Sequence, residues 1–155
     1  MALDAAQALM QAFDPATSSL KIVVNGYLWT KYTKVYADFS TAGTTNSIAL
    51  FTLPPGGVIH NTKIKHSVAF SGTSISAYTV QVGISGTLNK YSGSTAFNVF
   101  QAVANTTFGL YANLGSENHA AGTSILVTAT STGANLNAAS GAGSVDIWVL
   151  TSQAL

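Results

Sequence analysis

Over most of this chain the apolar residues recur at every second position. Near the C-terminus, for example, Val145, Ile147 and Val149 alternate with Asp146 and Trp148. Period-two alternation is typical of strands that bury one face. Charged residues make up only 7% of the 155 residues, so Ser, Thr, Asn and Gly supply the surface polarity, and they favour turns and β-surfaces. We therefore predict an all-β fold built around one core.

Eight segments of the chain are predicted to be short antiparallel strands, separated by polar clusters. Eight such strands fit a two-sheet sandwich, with a jelly-roll-like topology favoured and an immunoglobulin-like sandwich as the alternative. The predicted strands are 17–25, 33–39, 47–53, 58–70, 75–83, 95–101, 123–131 and 143–151.

The longest predicted strand, 58–70, is expected to turn its even-numbered residues to the core. The stretch 84–122 is less regular, and it is predicted to be a long loop or hairpin insertion with pinned aromatics. The predicted core face of the long strand consists of Val58, His60, Thr62, Ile64, His66, Val68 and Phe70.

The N-terminus has helical rather than strand periodicity. Residues 2–13 place apolar side chains three and four positions apart, which predicts a short amphipathic helix. The predicted organisation is an N-terminal helical arm over 1–16 and a β-sandwich domain over 17–155. A helix this short needs a surface to lie on, either its own domain or a neighbouring subunit. The candidate attachment residues of the arm are Leu3, Met10 and Phe13.

The charge, the hydropathy and the cysteine content argue against several classes of partner and of cross-link. The net charge is +1, and the six basic residues are all lysines, so no basic patch for nucleic acid is evident. No apolar run is long enough to span a membrane, and polar residues interrupt any N-terminal signal sequence. The absence of cysteine excludes disulfides. We expect synthesis in a host cytoplasm, with no nucleic-acid or membrane partner.

The carboxylates and hydroxyls offer little for catalysis. Asp38 and Asp146 could be brought together by the fold, but separate solvated carboxylates are the favoured interpretation. No serine nucleophile elbow is present, and no phosphate-binding loop. The sequence therefore predicts no enzyme, no catalytic residue and no cofactor.

The histidines do not indicate a metal site. His60 and His66 lie six residues apart on one strand, about 20 Å in an extended chain, and packed or interface roles are expected for both. His119, near Glu117, is a minor candidate for an intersubunit metal or polar site. The overall prediction is that the chain holds no metal.

Several segments resemble small structural proteins of tailed-phage virions. The segment 48–59, IALFTLPPGGVI, followed by VAFSG at 68–72, resembles their order of strand, proline-glycine turn, long strand and glycine turn. The segment 12–24, AFDPATSSLKIVV, is similar to the helix-to-strand transition of fibre-like or decoration-like phage proteins, and VQVG at 80–83 fits the third strand of the pattern. The resemblance implies a jelly-roll-like domain, often a homotrimer, on a capsid or tail surface.

Two functions follow from this resemblance. The favoured one is a capsid decoration or cement protein that stabilises the head through contacts with itself and with the major capsid protein or other virion proteins. The alternative is a head-fibre or tail-fibre adhesin that binds a host-surface glycan or receptor through exposed aromatics, although core packing is an alternative for each of these side chains. The candidate contact aromatics are Trp29, Tyr91, Phe97 and Tyr111.

Overall fold

Ten strands make up almost all of the regular structure in the described part of the chain. The computed structural model describes the backbone of residues 11–14, 19–24, 27–93, 96–100, 109–112, 122–138 and 143–152, and the side chains from 27 onward except those of 109–112. The strands are β1 (Gln11–Asp14), β2 (Ser19–Val24), β3 (Tyr27–Val35), β4 (Thr45–Leu53), β5 (Val58–Val68), β6 (Ala77–Gly83), β7 (Phe97–Asn98), β8 (Gly109–Ala112), β9 (Thr123–Thr132) and β10 (Ser144–Ser152). A short helix α1 (Tyr36–Phe39) follows β3, and a 3-10 turn (Leu136–Ala138) follows β9.

The strands form two antiparallel sheets packed face to face. One sheet has the order β1-β2-β3-β10-β5-β8 and the other the order β4-β9-β6-β7. Tyr32 of β3 stacks on Phe51 of β4 with ring centroids 5.4 Å apart, and His66 of β5 makes an edge contact with Phe97 of β7 at 5.8 Å. Thus β4 lies over β3 and β7 over β5. The prediction of an all-β sandwich of antiparallel sheets is confirmed.

The core between the sheets is built from alternate residues of the facing strands. Phe70, just after β5, is fully buried, stacks on Tyr78 with centroids 4.7 Å apart and packs against Phe39 of α1. Close packing of this kind fixes the separation of the sheets. The alternating positions on β6 and β10 are buried as predicted: Tyr78, Val80, Val82, Val145, Ile147 and Val149.

Two irregularities in β5 change which residues face the core. The pairing of β5 with β10 shifts register near each end of the strand. A bulge inserts one extra residue and reverses the alternation beyond it. Thr62, Ile64 and His66 are therefore buried as predicted, whereas Ile59 is buried in place of its neighbours Val58 and His60. At the other end Val68 is 47% exposed, so its predicted core position is wrong.

The second predicted strand, 33–39, is divided differently in the structure. Residues 27–35 form β3, and the chain then turns into α1. The backbone N–H of Val35 donates to Asp38 Oδ2 at 2.8 Å, which satisfies a free donor at the start of the helix. A local side-chain hydrogen bond of this kind ends the strand in favour of a helical turn.

The described part of the chain contains two strands that the sequence analysis does not predict. Gln11–Asp14 forms β1, so the helix predicted over 2–13 does not include its last residues, and residues 1–10 lie outside the described part. Gly109–Ala112 forms β8 and pairs with β5 inside the predicted loop 84–122. Within the predicted arm 1–16, Gln11–Asp14 therefore belongs to a sheet, and a helix over residues 1–10 stays a prediction.

Candidate interaction surface

The outer face of the six-stranded sheet carries a mixed apolar and cationic surface. On its three central strands, the residues that alternate with the buried positions form rows across β3, β10 and β5. We call this surface the outer face. Its members are Tyr27, Trp29, Lys31, Thr33, Val35, His60, Asn61, Lys63, Lys65, Val68, Ser144, Asp146, Trp148, Leu150 and Ser152.

Two tryptophans lie at the centre of the outer face. Trp148 pairs with Lys31 on one side and Lys63 on the other, and Leu150 pairs with Trp29. Lys31 Nζ lies 5.6 Å from the centroid of the Trp148 ring, and Lys63 Nζ lies 4.7 Å from that of Trp29. These distances fit cation–π contacts, in which the lysine stems cover the rings and the ammonium groups stay hydrated.

The outer face has an excess of positive charge. Lys31 Nζ forms an ion pair with Asp146 Oδ2 at 2.9 Å, and Thr33 Oγ1 donates to Asp146 Oδ1 at 2.7 Å. Lys63 and Lys65 have no carboxylate partner among the described residues. Three lysines and one carboxylate give this face a formal charge of +2, while the whole chain carries +1.

Exposed apolar side chains gather on the same face. Among the described side chains, the large hydrophobic residues most exposed to solvent are Tyr27 (43%), Val35 (44%) and Val68 (47%), and all three belong to the outer face. Val35 and Val68 flank Ser144 in one row at the end of the sheet. Apolar residues gathered on one face indicate an interaction surface, whereas scattered ones do not.

The two described histidines lie on opposite sides of the six-stranded sheet. His60 is on the outer face, where its ring makes an edge contact with Tyr27 at 5.0 Å and Nε2 is 2.7 Å from Ser152 Oγ. His66 is buried against Phe97 on the inner side. The expected shared face is therefore wrong for this pair, because the bulge turns His60 outward. His119 and Glu117 lie outside the described residues.

Asp38 and Asp146, the carboxylates considered as a catalytic pair, have separate partners. Asp38 accepts from the Val35 backbone, and Asp146 binds Lys31 and Thr33. Within the described ranges no group of three or more His, Cys, Asp or Glu residues could hold a metal ion. No described helix is long and apolar enough to cross a membrane.

The opposite face of the sandwich is chemically different. On the outer side of the four-stranded sheet, hydroxyls pair across the strands: Ser47 Oγ lies 2.8 Å from Thr128 Oγ1, and Thr45 Oγ1 lies 3.4 Å from Thr130 Oγ1. No charged residue occurs in the sequences of β4, β6, β7 or β9. This hydroxyl-rich face provides a control surface for experiments on the outer face.

Of the four predicted contact aromatics, one lies on the outer face. Trp29 is at its centre, whereas Tyr91 and Phe97 are 1% and 8% exposed and belong to the core, so they are not contact residues. The backbone of Tyr111 pairs with β5, and its side chain lies outside the description. Trp148 was missed, although its alternation with buried valines places it on the outer side.

A cavity of about 210 Å³ opens between the sheets beside the stacked rings of Tyr32 and Phe51. Burial raises the pKa of Tyr32 from 10.0 to about 12, while a side-chain hydrogen bond with Thr30 acts in the opposite direction. The cavity has mixed apolar and hydroxyl walls. It is lined by Leu28, Thr30, Tyr32, Phe51, Thr52, Leu53, Pro54, Val149, Thr151 and Ser152.

The raised pKa of Tyr32 predicts a loss of stability in alkali. Between pH 10.0 and about 12 the unfolded phenol loses its proton while the folded one keeps it, so the free energy of unfolding falls as pH rises. We expect the wild-type protein to lose stability relative to Tyr32→Phe over this range, by about 1 kcal/mol, because solvent screens a phenol that is only partly buried. Urea unfolding of both proteins at several pH values measures the difference. If the free energy of unfolding of the two proteins changes equally with pH, the raised pKa of Tyr32 is contradicted.

Comparison with known proteins gives one structural match. No protein-family model matches the chain, and no curated protein matches it. A solved structure described as the cyanophage Pam1 capsid asymmetric unit contains a similar chain, with 18% sequence identity, a TM-score of 0.51 and coverage of 99% of both chains. The two chains share a fold. Because the match runs the length of both chains, it concerns the whole architecture rather than one supersecondary unit.

Proposed function

We propose that this chain is a virion structural protein of a tailed bacteriophage, and that it is a capsid decoration or cement protein. The observation that carries this proposal is the shared fold, over 99% of both chains, with a chain of a phage capsid asymmetric unit. The resemblance of the segments 48–59 and 68–72 to small virion proteins supports the same class of protein from the sequence. We propose a virion location, with no catalytic step and no cofactor.

We further propose that the eight strands β3 to β10 form a jelly roll. The order β3-β10-β5-β8 in one sheet and β4-β9-β6-β7 in the other supports this topology, because the chain alternates between the sheets from β3 to β6 and pairs its late strands between early ones. The β1–β2 hairpin then extends one sheet beyond the eight strands. It connects the proposed N-terminal arm to the domain.

The proposed mechanism is stabilisation by binding. A protein that binds assembled shell subunits, and not dissociated ones, shifts the equilibrium toward the shell by mass action. The outer face offers tryptophans at its centre, lysines beside them and exposed valines at one end, so it can make both apolar and charged contacts. Low charge elsewhere reduces repulsion between copies, which supports self-association, and the resemblance to small virion proteins makes a homotrimer the proposed assembly.

A fibre or adhesin module is the second candidate function. Trp29 and Trp148 support it, because two aromatic rings on one face resemble a stacking surface for a glycan. The lysines that lie over both rings favour the first candidate, since a neutral sugar offers no carboxylate to bind them.

Composition and stability of purified virions test the proposed function. We expect mass spectrometry to find the chain in a number comparable to that of the major capsid protein, and particles lacking it to lose their genome at a lower temperature. A few copies per particle would indicate a fibre. Absence from purified virions would contradict both virion roles.

The proposed attachment arm gives a separate prediction. Removing residues 1–10, which leaves β1 intact, should reduce binding to particles by about tenfold while the domain keeps its melting temperature, because the arm adds contact surface to a domain that folds without it. A full-length variant with Leu3→Ser and Met10→Ser tests whether apolar contacts account for the effect. Its binding to particles should fall as much as that of the deletion variant. Co-sedimentation with particles measures the change, and undiminished binding would remove the arm from the attachment.

A further inference from the structure

We infer that the outer face of the six-stranded sheet docks onto a protein surface that presents carboxylates around an apolar centre. This inference rests on the proposed function and adds the chemistry of the partner. The two sides of the sandwich differ sharply in charge, and only the outer face combines lysines with exposed apolar side chains.

Charge complementarity identifies the acidic part of the partner. Three of the six lysines lie on the outer face, and among the described residues only Lys31 of these three has a carboxylate partner. Lys63 and Lys65 occupy the same side of β5, the first over Trp29 and the second exposed. Opposite potentials across an interface orient the partners and exclude surfaces of like charge. Two neighbouring ammonium groups without a carboxylate partner in the described part of the chain therefore favour carboxylates in matching positions.

The composition of the face favours a protein over a glycan. Val35 and Val68 at one end offer no hydrogen bonds to a sugar, but they suit the flat apolar contacts of a protein interface.

Docking changes the partners of the central lysines. In the free protein the Lys63 ammonium lies over the ring of Trp29. A partner carboxylate can take that ammonium, because an ion pair in a partly dry contact is stronger than an exposed cation–π contact. The ring is then left to pack against apolar atoms of the partner. A tryptophan that becomes buried in this way is the kind of residue that dominates affinity.

Charge reversal on the outer face tests the inference. The variants are Lys63→Glu with Lys65→Glu, the neutral pair Lys63→Gln with Lys65→Gln, and the control Gln81→Glu on the hydroxyl-rich face. The probe is particles of the encoding phage from which this protein has been removed, with polygalacturonate as a second probe. Melting temperatures of all variants check that each is folded.

We expect charge reversal to weaken particle binding at least tenfold, neutralisation to weaken it less, and the control to bind as the wild type does. Wild-type affinity should also fall as salt rises, with a shallower slope in the reversed variant. Equal binding by folded wild-type and reversed proteins would overturn the acidic partner while leaving a virion role standing. Failure of the wild type to bind particles would instead contradict the proposed function, and binding to polygalacturonate alone would overturn the inference in favour of a glycan.

Discussion

Replacing Phe70 with alanine is expected to lower the free energy of unfolding by about 3–5 kcal/mol. Phe70 is fully buried where α1, β6 and the end of β5 meet, with ring contacts to Tyr78 at 4.7 Å and to Phe39 at 6.3 Å. The space around it is tight, since a Cβ on Gly143 would lie only 2.5 Å from its ring. Removal of the ring leaves a cavity that these rigid neighbours cannot fill. Urea denaturation of the purified protein measures the loss.

Val68→Ala is the control for Phe70→Ala. Val68 is two residues earlier in the chain, but it is 47% exposed on the outer face. Substitutions at such positions change stability by at most about 0.5 kcal/mol. If both variants lose the same free energy, the bulge near the end of β5 is misplaced and the division between core and outer face is wrong there.

Trp148→Ala is expected to weaken binding to particles by about 30-fold or more, which corresponds to about 2 kcal/mol. Trp148 is at the centre of the outer face, between Lys31 and Lys63 on the adjacent strands. A central aromatic side chain that loses its remaining water on docking contributes more than rim residues do. Because the ring is partly buried against its cross-strand neighbours, the melting temperature of the variant is measured beside its binding, and the comparison uses folded protein.

Leu126→Ala is the matched control for Trp148→Ala. Leu126 is a partly buried apolar residue in the middle of β9, on the opposite face of the sandwich. The Leu126→Ala protein should bind particles as the wild type does. Co-sedimentation with stripped particles at one salt concentration compares both variants with the wild type. A larger loss for Leu126→Ala than for Trp148→Ala would assign docking to the hydroxyl-rich face.

Local alternation predicted the fold well wherever strands pair without interruption. The buried positions of β6 and β10 follow directly from their sequence, since every second residue is apolar. The ends of β5 could not be predicted in this way, because bulges depend on the register with β10, a strand about 80 residues away in the chain. β3 was placed too late because Trp29 and Tyr32 put aromatics on both of its faces and obscure the alternation.

The candidate surface was predicted only in part. Trp29 was identified as an exposed aromatic, but Tyr91 and Phe97 looked equally available in an irregular stretch of sequence and are buried in the structure. Whether a loop aromatic reaches the core depends on how the loop returns to the sheets, which local pattern does not specify. The charge excess of the face was also missed, because its lysines come from two strands that are distant in sequence.

A density map of the virion that is proposed to carry this protein tests the central claim most directly. If this protein is a decoration subunit that docks through the outer face, Trp29, Trp148 and Leu150 will lie against the capsid protein. The hydroxyl-rich face will then point toward solvent. A map in which the hydroxyl-rich face contacts the shell, or in which the sandwich is absent from the particle, would contradict the account.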